Sequence, residues 1–400
     1  MSVPNGAARP QFGVEEEFLL VDPVSRAPAP VAPAVVGHAV ELLGGGRVGG
    51  EITELQLEAR TDPCVTADQL YAQLAEGRRV AAHAARASGA AIVATGTPVL
   101  GGTIPPPMGR GERQDRGNAT FRGLHNELAI CALHVHVELP ERDLAVMVSN
   151  HLRPHLPVLI ALTANSPYWA DRDTGYASWR TVIWTRWPVA GPPPYFDSAE
   201  HYERHVETLL GAGALVDRGT IFWDVRPSSK LPTLEIRIAD VPVTAEESAA
   251  VAALVRALVV RALRKARHGD PGPRVPGELM RLAYWRAARD GIEGHGVDVF
   301  TGSLLPAMRL ARDLVATARP VLLEYGEADR VDDWLNRLER EGGGAARQRR
   351  AGAGPGGLAG VVDYLVEHTA AHTAAHTETV ARHADEDPGN PAVASAGVDM

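Results

Sequence analysis

Apolar and polar positions along this 400-residue chain follow two periods. Period-two alternation predicts strands at 12–22, 51–59, 91–95, 132–138 and 220–238, the last broken into a hairpin by Pro227-Ser-Ser-Lys-Leu-Pro232. Helical periodicity predicts helices at 66–88, 143–163, 199–212, 245–267, 278–289 and 301–319. The helix from 245 has a defined start, with Thr244 as N-cap and Glu247 at the capping-box position, and Gly269 with Pro271 ends it. Pro154 and Pro157 should split the helix that begins near Asp143. Hairpins mixed with helices, without regular βαβ alternation, predict an α+β fold around an antiparallel sheet. Along the chain we expect a flexible N-terminus over 1–10 and one large domain over 11–340. A disordered Gly/Pro/Arg-rich linker over 341–360, a helix over 361–382 and a polar tail over 383–400 should follow.

Splitting each strand into its two faces brings in the chemistry. Glu15 and Glu17 share a face, with Glu16 on the reverse. Ile52, Glu54, Gln56 and Glu58 oppose Thr53, Leu55, Leu57 and Ala59. His134, His136 and Glu138 oppose Leu133, Val135 and Val137. Asp224 and Arg226 share one face of their strand, and Thr233, Glu235 and Arg237 one face of theirs. A half-solvated sheet also alternates, but it collects mixed polar residues rather than carboxylates, imidazoles and isolated arginines. Glutamate is a poor strand former, and three consecutive glutamates repel one another unless cations neutralise them. Such a face reads as a metal-binding floor, and its oxygen-rich donors suit Mg²⁺ or Mn²⁺. Arg237 could meet a phosphate or carboxylate as a bidentate fork.

The His134-Val-His136 pair permits a second reading, a zinc-dependent amide hydrolase, and a third is a non-catalytic binding module. Trp179, Trp184 and Trp187 read as packing residues, as do Cys64 and Cys131. His368, His372 and His376 recur every four residues on a peripheral helix face.

Composition narrows the classes. Hydrophobic residues make up 45% and charged residues 22%, enough for a packed core. A net charge of -9 argues against nucleic acid as partner. The only lysines are Lys230 and Lys265, so no Gly-Lys-Ser/Thr phosphate loop exists. Two cysteines cannot build a disulfide framework. With neither a signal-peptide pattern nor a twenty-residue apolar run, the chain reads as soluble and cytoplasmic, without a membrane partner.

These residues sit in a recognisable series of motifs. They run from Phe12-Gly-Val-Glu-Glu-Glu-Phe18, Glu54-Leu-Gln-Leu-Glu58 and Leu133-His-Val-His-Val137 to Asp173-Thr-Gly-Tyr-Ala-Ser-Trp-Arg180. Trp223-Asp-Val-Arg-Pro227 and Thr233-Leu-Glu-Ile-Arg-Ile-Ala-Asp240 complete it. The chain resembles the glutamate–cysteine ligase type 2 family, the YbdK-type carboxylate–amine ligases, over about residues 11–320. The resemblance implies a curved antiparallel sheet like the glutamine synthetase catalytic domain, with helices on its convex side. It implies ATP as co-substrate, an acyl-phosphate intermediate and nominal formation of γ-glutamylcysteine from L-glutamate and L-cysteine. Another amino acid or a specialised-metabolite amine is an alternative acceptor. By motif, Glu15, Glu17, Glu54, Glu58, His134 and Glu235 become metal ligands. Glu235 and Arg237 become catalytic, and Arg237 and Arg226 contact ATP phosphates. His136, Arg180 and Asp224 become substrate contacts, and a homodimer is expected. The stretch 104–127, with Arg110, Arg113, Arg116 and Arg122, departs from the family pattern, as do Glu138 and the His-rich tail.

Overall fold

The ladder is antiparallel throughout the main sheet because its strands are joined by hairpins and long returns rather than by right-handed crossovers. In this computed structural model, which describes residues 9–101 and 104–371, the sheet strands are β1 (Phe12–Val21), β2 (Val48–Gly50), β3 (Gln56–Arg60), β4 (Ala91–Val93), β5 (Ala132–Glu138), β6 (Val225–Pro227) and β7 (Thr233–Asp240). Their order is β6-β7-β5-β1-β3-β2, with β4 pairing the end of β1. The class is α+β, as the mixed pattern predicts.

Alternation decides what each face does. Phe12, Val14, Leu133, Val135, Val137, Leu234 and Ile236 point into one apolar layer. Helices cover that face: α1 (Ala67–Ala87), then, after α2 (Glu112–Phe121), α3 (Arg142–Leu152), α4 (Leu156–Thr163) and α5 (Ala245–Arg267). The α5 helix starts at the Thr244–Glu247 capping box, and its Ala, Val and Leu residues are buried along most of its length. Gly269, at φ 82°, occupies the left-handed position just past its end. The helix expected over 143–163 splits at Pro154, giving α3, a short 3₁₀ turn and α4.

Glu16 points into the helical layer, where it is 1% exposed. Its cation is Arg78 of α1, whose Nε donates to Glu16 Oε2 at 3.0 Å. Arg78 also reaches the carbonyls of Val243 (2.7 Å) and Thr369 (3.3 Å), and Ser248 donates to Glu16 Oε1 at 2.6 Å. The middle glutamate is therefore neutralised by protein, and only its two neighbours face the opposite side.

Three expectations need correction. Residues 51–55 do not continue the strand; an isolated bridge from Thr53 to Met108 and a turn precede β3. The helix expected at 301–319 runs from Ala307 to Tyr325, because Leu304–Pro306 pairs with His295–Val297. The stretch 341–360 is not a disordered linker. It contains α6 (Gly344–Gly352) and the start of α7 (Gly357–Thr369). Gln348 of α6 is fully buried, and its amide donates to Asn165 Oδ1 at 2.7 Å and Asn165 O at 3.0 Å. The described residues up to Ala370 gather into one compact unit. His372, His376 and the polar tail lie outside the described residues. Among the described residues, no helix is long and apolar enough to cross a membrane.

Candidate active site

Register, not sequence proximity, assembles the polar face. Glu15 lies opposite His134, Glu17 opposite Glu58, Glu235 opposite His136, and Arg226 opposite Glu235. Together they floor a cavity of about 630 Å³. His134 Nδ1 and Glu15 Oε2 are 3.1 Å apart, and His134 Nε2 lies 3.7 Å from Glu17 Oε1. Glu17 Oε2 accepts the Ala132 N–H at 2.8 Å. His136 Nδ1 is 2.9 Å from Thr233 Oγ1, while its Nε2 has no hydrogen-bond partner. Arg226 Nε donates to Glu235 Oε2 at 2.9 Å, and Arg237 pairs with Glu235 Oε1. Arg60, the next residue on the Glu58 face of β3, pairs with Glu58.

The donors of this face are grouped so that they could hold a cation. Two groups, Glu15–His134–Glu235 and Glu17–Glu58–His134, each bring their donor atoms within 4.8 Å of one another and share His134. Burial, followed by the Arg237 charge, pushes the His134 imidazole down to about 4, so it is neutral with a lone pair to offer. Burial, reinforced by Glu51, pushes the Glu17 carboxyl up to about 8, against the pull of Arg180 and Arg237. Burial alone would raise Glu235, but Arg237 and Arg226 outweigh it and hold its carboxyl well below the usual range. Glu17 is thus a buried carboxyl whose nearby arginines do not fully compensate it, and a divalent ion would fit it, since carboxylate oxygens with one neutral imidazole suit Mg²⁺ or Mn²⁺. The two arginines gripped by Glu235 hold positive charge beside those donors.

A family model described as glutamate–cysteine ligase family 2 matches residues 11–373. The chain belongs to the glutamate–cysteine ligase family 2. It is accordingly an ATP-dependent carboxylate–amine ligase, like glutamate–cysteine ligase in kind. A relative from Mycobacterium sp. (strain KMS), provisionally named glutamate–cysteine ligase 2-2, is 44% identical over 364 residues, covering 90% of this chain and 99% of its own. The crystal structure of a glutamate–cysteine ligase from Francisella tularensis with AMP shares the fold. Its TM-score is 0.66 at 14% identity, over 95% of this chain and 93% of that one. A bifunctional glutathione synthetase from Pasteurella multocida gives a TM-score of 0.65 at 14% identity, over 90% of this chain and 52% of that one.

Within this glutamate–cysteine ligase family 2 chain, Glu15, Glu17, Glu58, His134, His136, Arg226, Glu235 and Arg237 all line the one cavity. Three predicted residues do not. Glu54 sits in the turn before β3, half-buried, with its N–H donating to Pro107 O at 2.8 Å; the break in the strand brings Glu51 to the cavity instead. Arg180 is 2% exposed and lies behind β7, donating to the carbonyls of Arg237 (3.0 Å) and Ile238 (3.3 Å). Asp224 is buried against Tyr284, whose hydroxyl donates to it at 3.0 Å, and burial raises its carboxyl to about 6 against the pull of Arg180. Of the tryptophans expected to pack, Trp187 also lines the cavity, and so does Lys230 of the Pro227–Pro232 turn. Arg60 was readable, being one alternation beyond Glu58. Glu51, Phe121 and Trp187 carried no local signal.

Proposed function

We propose that this enzyme joins a carboxylate to an amine through an acyl phosphate, with Mg²⁺ or Mn²⁺ held by Glu15, Glu17, Glu58, His134 and Glu235. The observation that carries the reading is the pair of carboxylate groups sharing His134 beside two arginines fixed by Glu235. An oxygen of the substrate carboxylate attacks the γ-phosphorus of ATP, and the bond to ADP breaks. The amine nitrogen then attacks the acyl carbon, the C–O bond to phosphate breaks, and the nitrogen loses a proton. Arg237 and Arg226 supply preorganised positive charge where phosphoryl oxygens become more negative, so no protein nucleophile is required. Bound metal would neutralise the nucleotide's phosphate oxygens. Glu235 holds both guanidiniums in place as well as offering a ligand atom.

The relatives' names make glutamate and cysteine the nominal substrates. The same chemistry on another amine is a second reading, favoured by the aromatic wall of the cavity. The cytoplasm, where ATP and free amino acids are both supplied, is the compartment this reading favours. The test is ADP release from ATP, Mg²⁺, a carboxylate and an amine, with Glu235→Gln as the variant. We expect turnover to fall by about 10²–10³-fold, the scale for losing one transition-state charge contact. Full turnover in Glu235→Gln would refute the assignment.

A further inference from the structure

One arginine of the cavity floor is held differently from the others. Arg226 and Arg237 are both gripped by Glu235, and their side chains are 11% and 13% exposed. Arg226 is also tied to the carbonyls of Gly219 (2.9 Å) and Ile221. Arg60 ends β3 directly opposite Glu15 of β1, and its side chain is 36% exposed. Among the described residues its ion-pair partners are Glu58, two positions back on the same face, and Glu15, whose Oε1 lies 3.7 Å from Arg60 Nε. Glu58 Oε2 is buried without an aligned hydrogen bond, so Arg60 meets it as charge alone. The guanidinium lies over β2, where a Cβ on Gly49 would come within 3.1 Å of Arg60 Nη1. Its two carboxylates belong to different donor groups, Glu15 to the one with Glu235 and Glu58 to the one with Glu17.

We propose that Arg60 is a displaceable counter-cation of the metal floor: it claims one carboxylate of each donor group, and metal loads fully only as its guanidinium swings away. This rests on the metal assignment made with the ligase reading and adds what sets the affinity. Two positive charges that approach the same carboxylates repel each other, and in a partly buried site that repulsion is weakly screened. Arg226 and Arg237 cannot yield, because Glu235 fixes both. Arg60 can yield, since its side chain reaches solvent, holds Glu58 by charge alone and, among the described residues, is tied to no backbone carbonyl. The same arginine offsets the repulsion between carboxylates that face one another across β1 and β3, where Glu17 lies opposite Glu58. Arg60 therefore stabilises the floor before metal binds and weakens its hold on the metal.

The test measures Mn²⁺ binding to the full-length protein by calorimetry without nucleotide, with urea unfolding in parallel. Arg60→Met drops the charge and keeps an apolar stem. It should bind Mn²⁺ at least about fivefold tighter than wild type, the low end of ordinary coupling between two ligands. Arg60→Lys keeps the charge and should bind as wild type does. In urea, Arg60→Met should be less stable than wild type without metal and should regain the difference as Mn²⁺ saturates it. Should Arg60→Met not fold without metal, Arg60→Gln, uncharged but able to hydrogen-bond Glu58, takes its place in the comparison. An uncharged variant that binds Mn²⁺ no more tightly than wild type would overturn the inference and leave the metal site intact, because Arg60 would then steady the ligands instead. Arg60→Lys binding as tightly as Arg60→Met would overturn it too, by putting the effect on packing. No Mn²⁺ bound by wild type or any variant would overturn the metal assignment and this inference together.

Discussion

Arg180→Met tests how Arg237 is aimed. Strand β7 carries one residue more than β5 between Ile236 and Ala239, so the ladder slips beside Arg237. Arg180 takes up the carbonyls of Arg237 and Ile238 there, and its Nη1 lies 3.7 Å from Asp240 Oδ1. Asp240 is itself anchored by Asn165 N–H (2.9 Å), Ser166 (2.7 Å) and Ser178 (2.9 Å). A hydrogen bond from a charged donor contributes about 1.5–3 kcal/mol, so losing two places about 3–6 kcal/mol at risk. If roughly 2–3 kcal/mol of that appears as lost transition-state stabilisation by a displaced Arg237, kcat falls about 30- to 150-fold. Lysine offers a point charge rather than a planar fork, so Arg180→Lys should recover little. The assay is ADP release at saturating substrates, with urea unfolding in parallel to separate stability from turnover. A kcat within threefold of wild type for Arg180→Met, or full recovery by Arg180→Lys, would refute the reasoning.

Three further outcomes are expected. Chelation should abolish ADP release, and Mn²⁺ titration followed by calorimetry should find two ions per chain. His134→Ala should weaken both, because the two donor groups share that imidazole, and one untouched site would contradict the sharing. Arg78→Met leaves Glu16 buried without its cation and should cost about 3–5 kcal/mol by urea unfolding. A loss under 1 kcal/mol would show that Ser248 suffices. Asp224 has a folded-state pKa raised to about 6, so its proton stabilises the folded state and that contribution is lost as pH rises from about 4 through 6. Asp224→Asn should therefore be more stable than wild type by about 2–3 kcal/mol at pH 7, fading at pH 4, and a constant difference across that range would contradict it.

Most of the floor of the site was legible because period two is a local property. The opposition of Glu15 and Glu17 to Glu16, and of His134 and His136 to Val135, needs only a strand and its pleat. The misplacements have long-range causes. Glu54 was put on the floor by assuming a continuous strand over 51–59, and the Thr53–Met108 bridge that interrupts it depends on a partner more than fifty residues away. Arg180 has the residue type of a substrate contact, but a bulge in another strand captures its guanidinium. Phe121, Trp187 and Phe222 come from three separate segments, so no window of sequence contains the wall they make. Residues 341–360 look like linker by composition, and only the burial of Gln348 against Asn165 reveals otherwise.

Helices α6 and α7 also set where this chain can be cut. Gln348 is bound to Asn165, whose Nδ2 donates to the carbonyls of Ala94 (3.0 Å) and Val241 (2.8 Å), and the Ala94 N–H donates to Thr369 Oγ1 at 2.8 Å. Thr369 O accepts from Arg78, the cation that neutralises Glu16 behind β1. A fragment ended at residue 340 by a protease or a stop codon would keep every residue that lines the cavity and lose the clasp behind them. A piece meant to keep the braced site should therefore extend at least through Thr369.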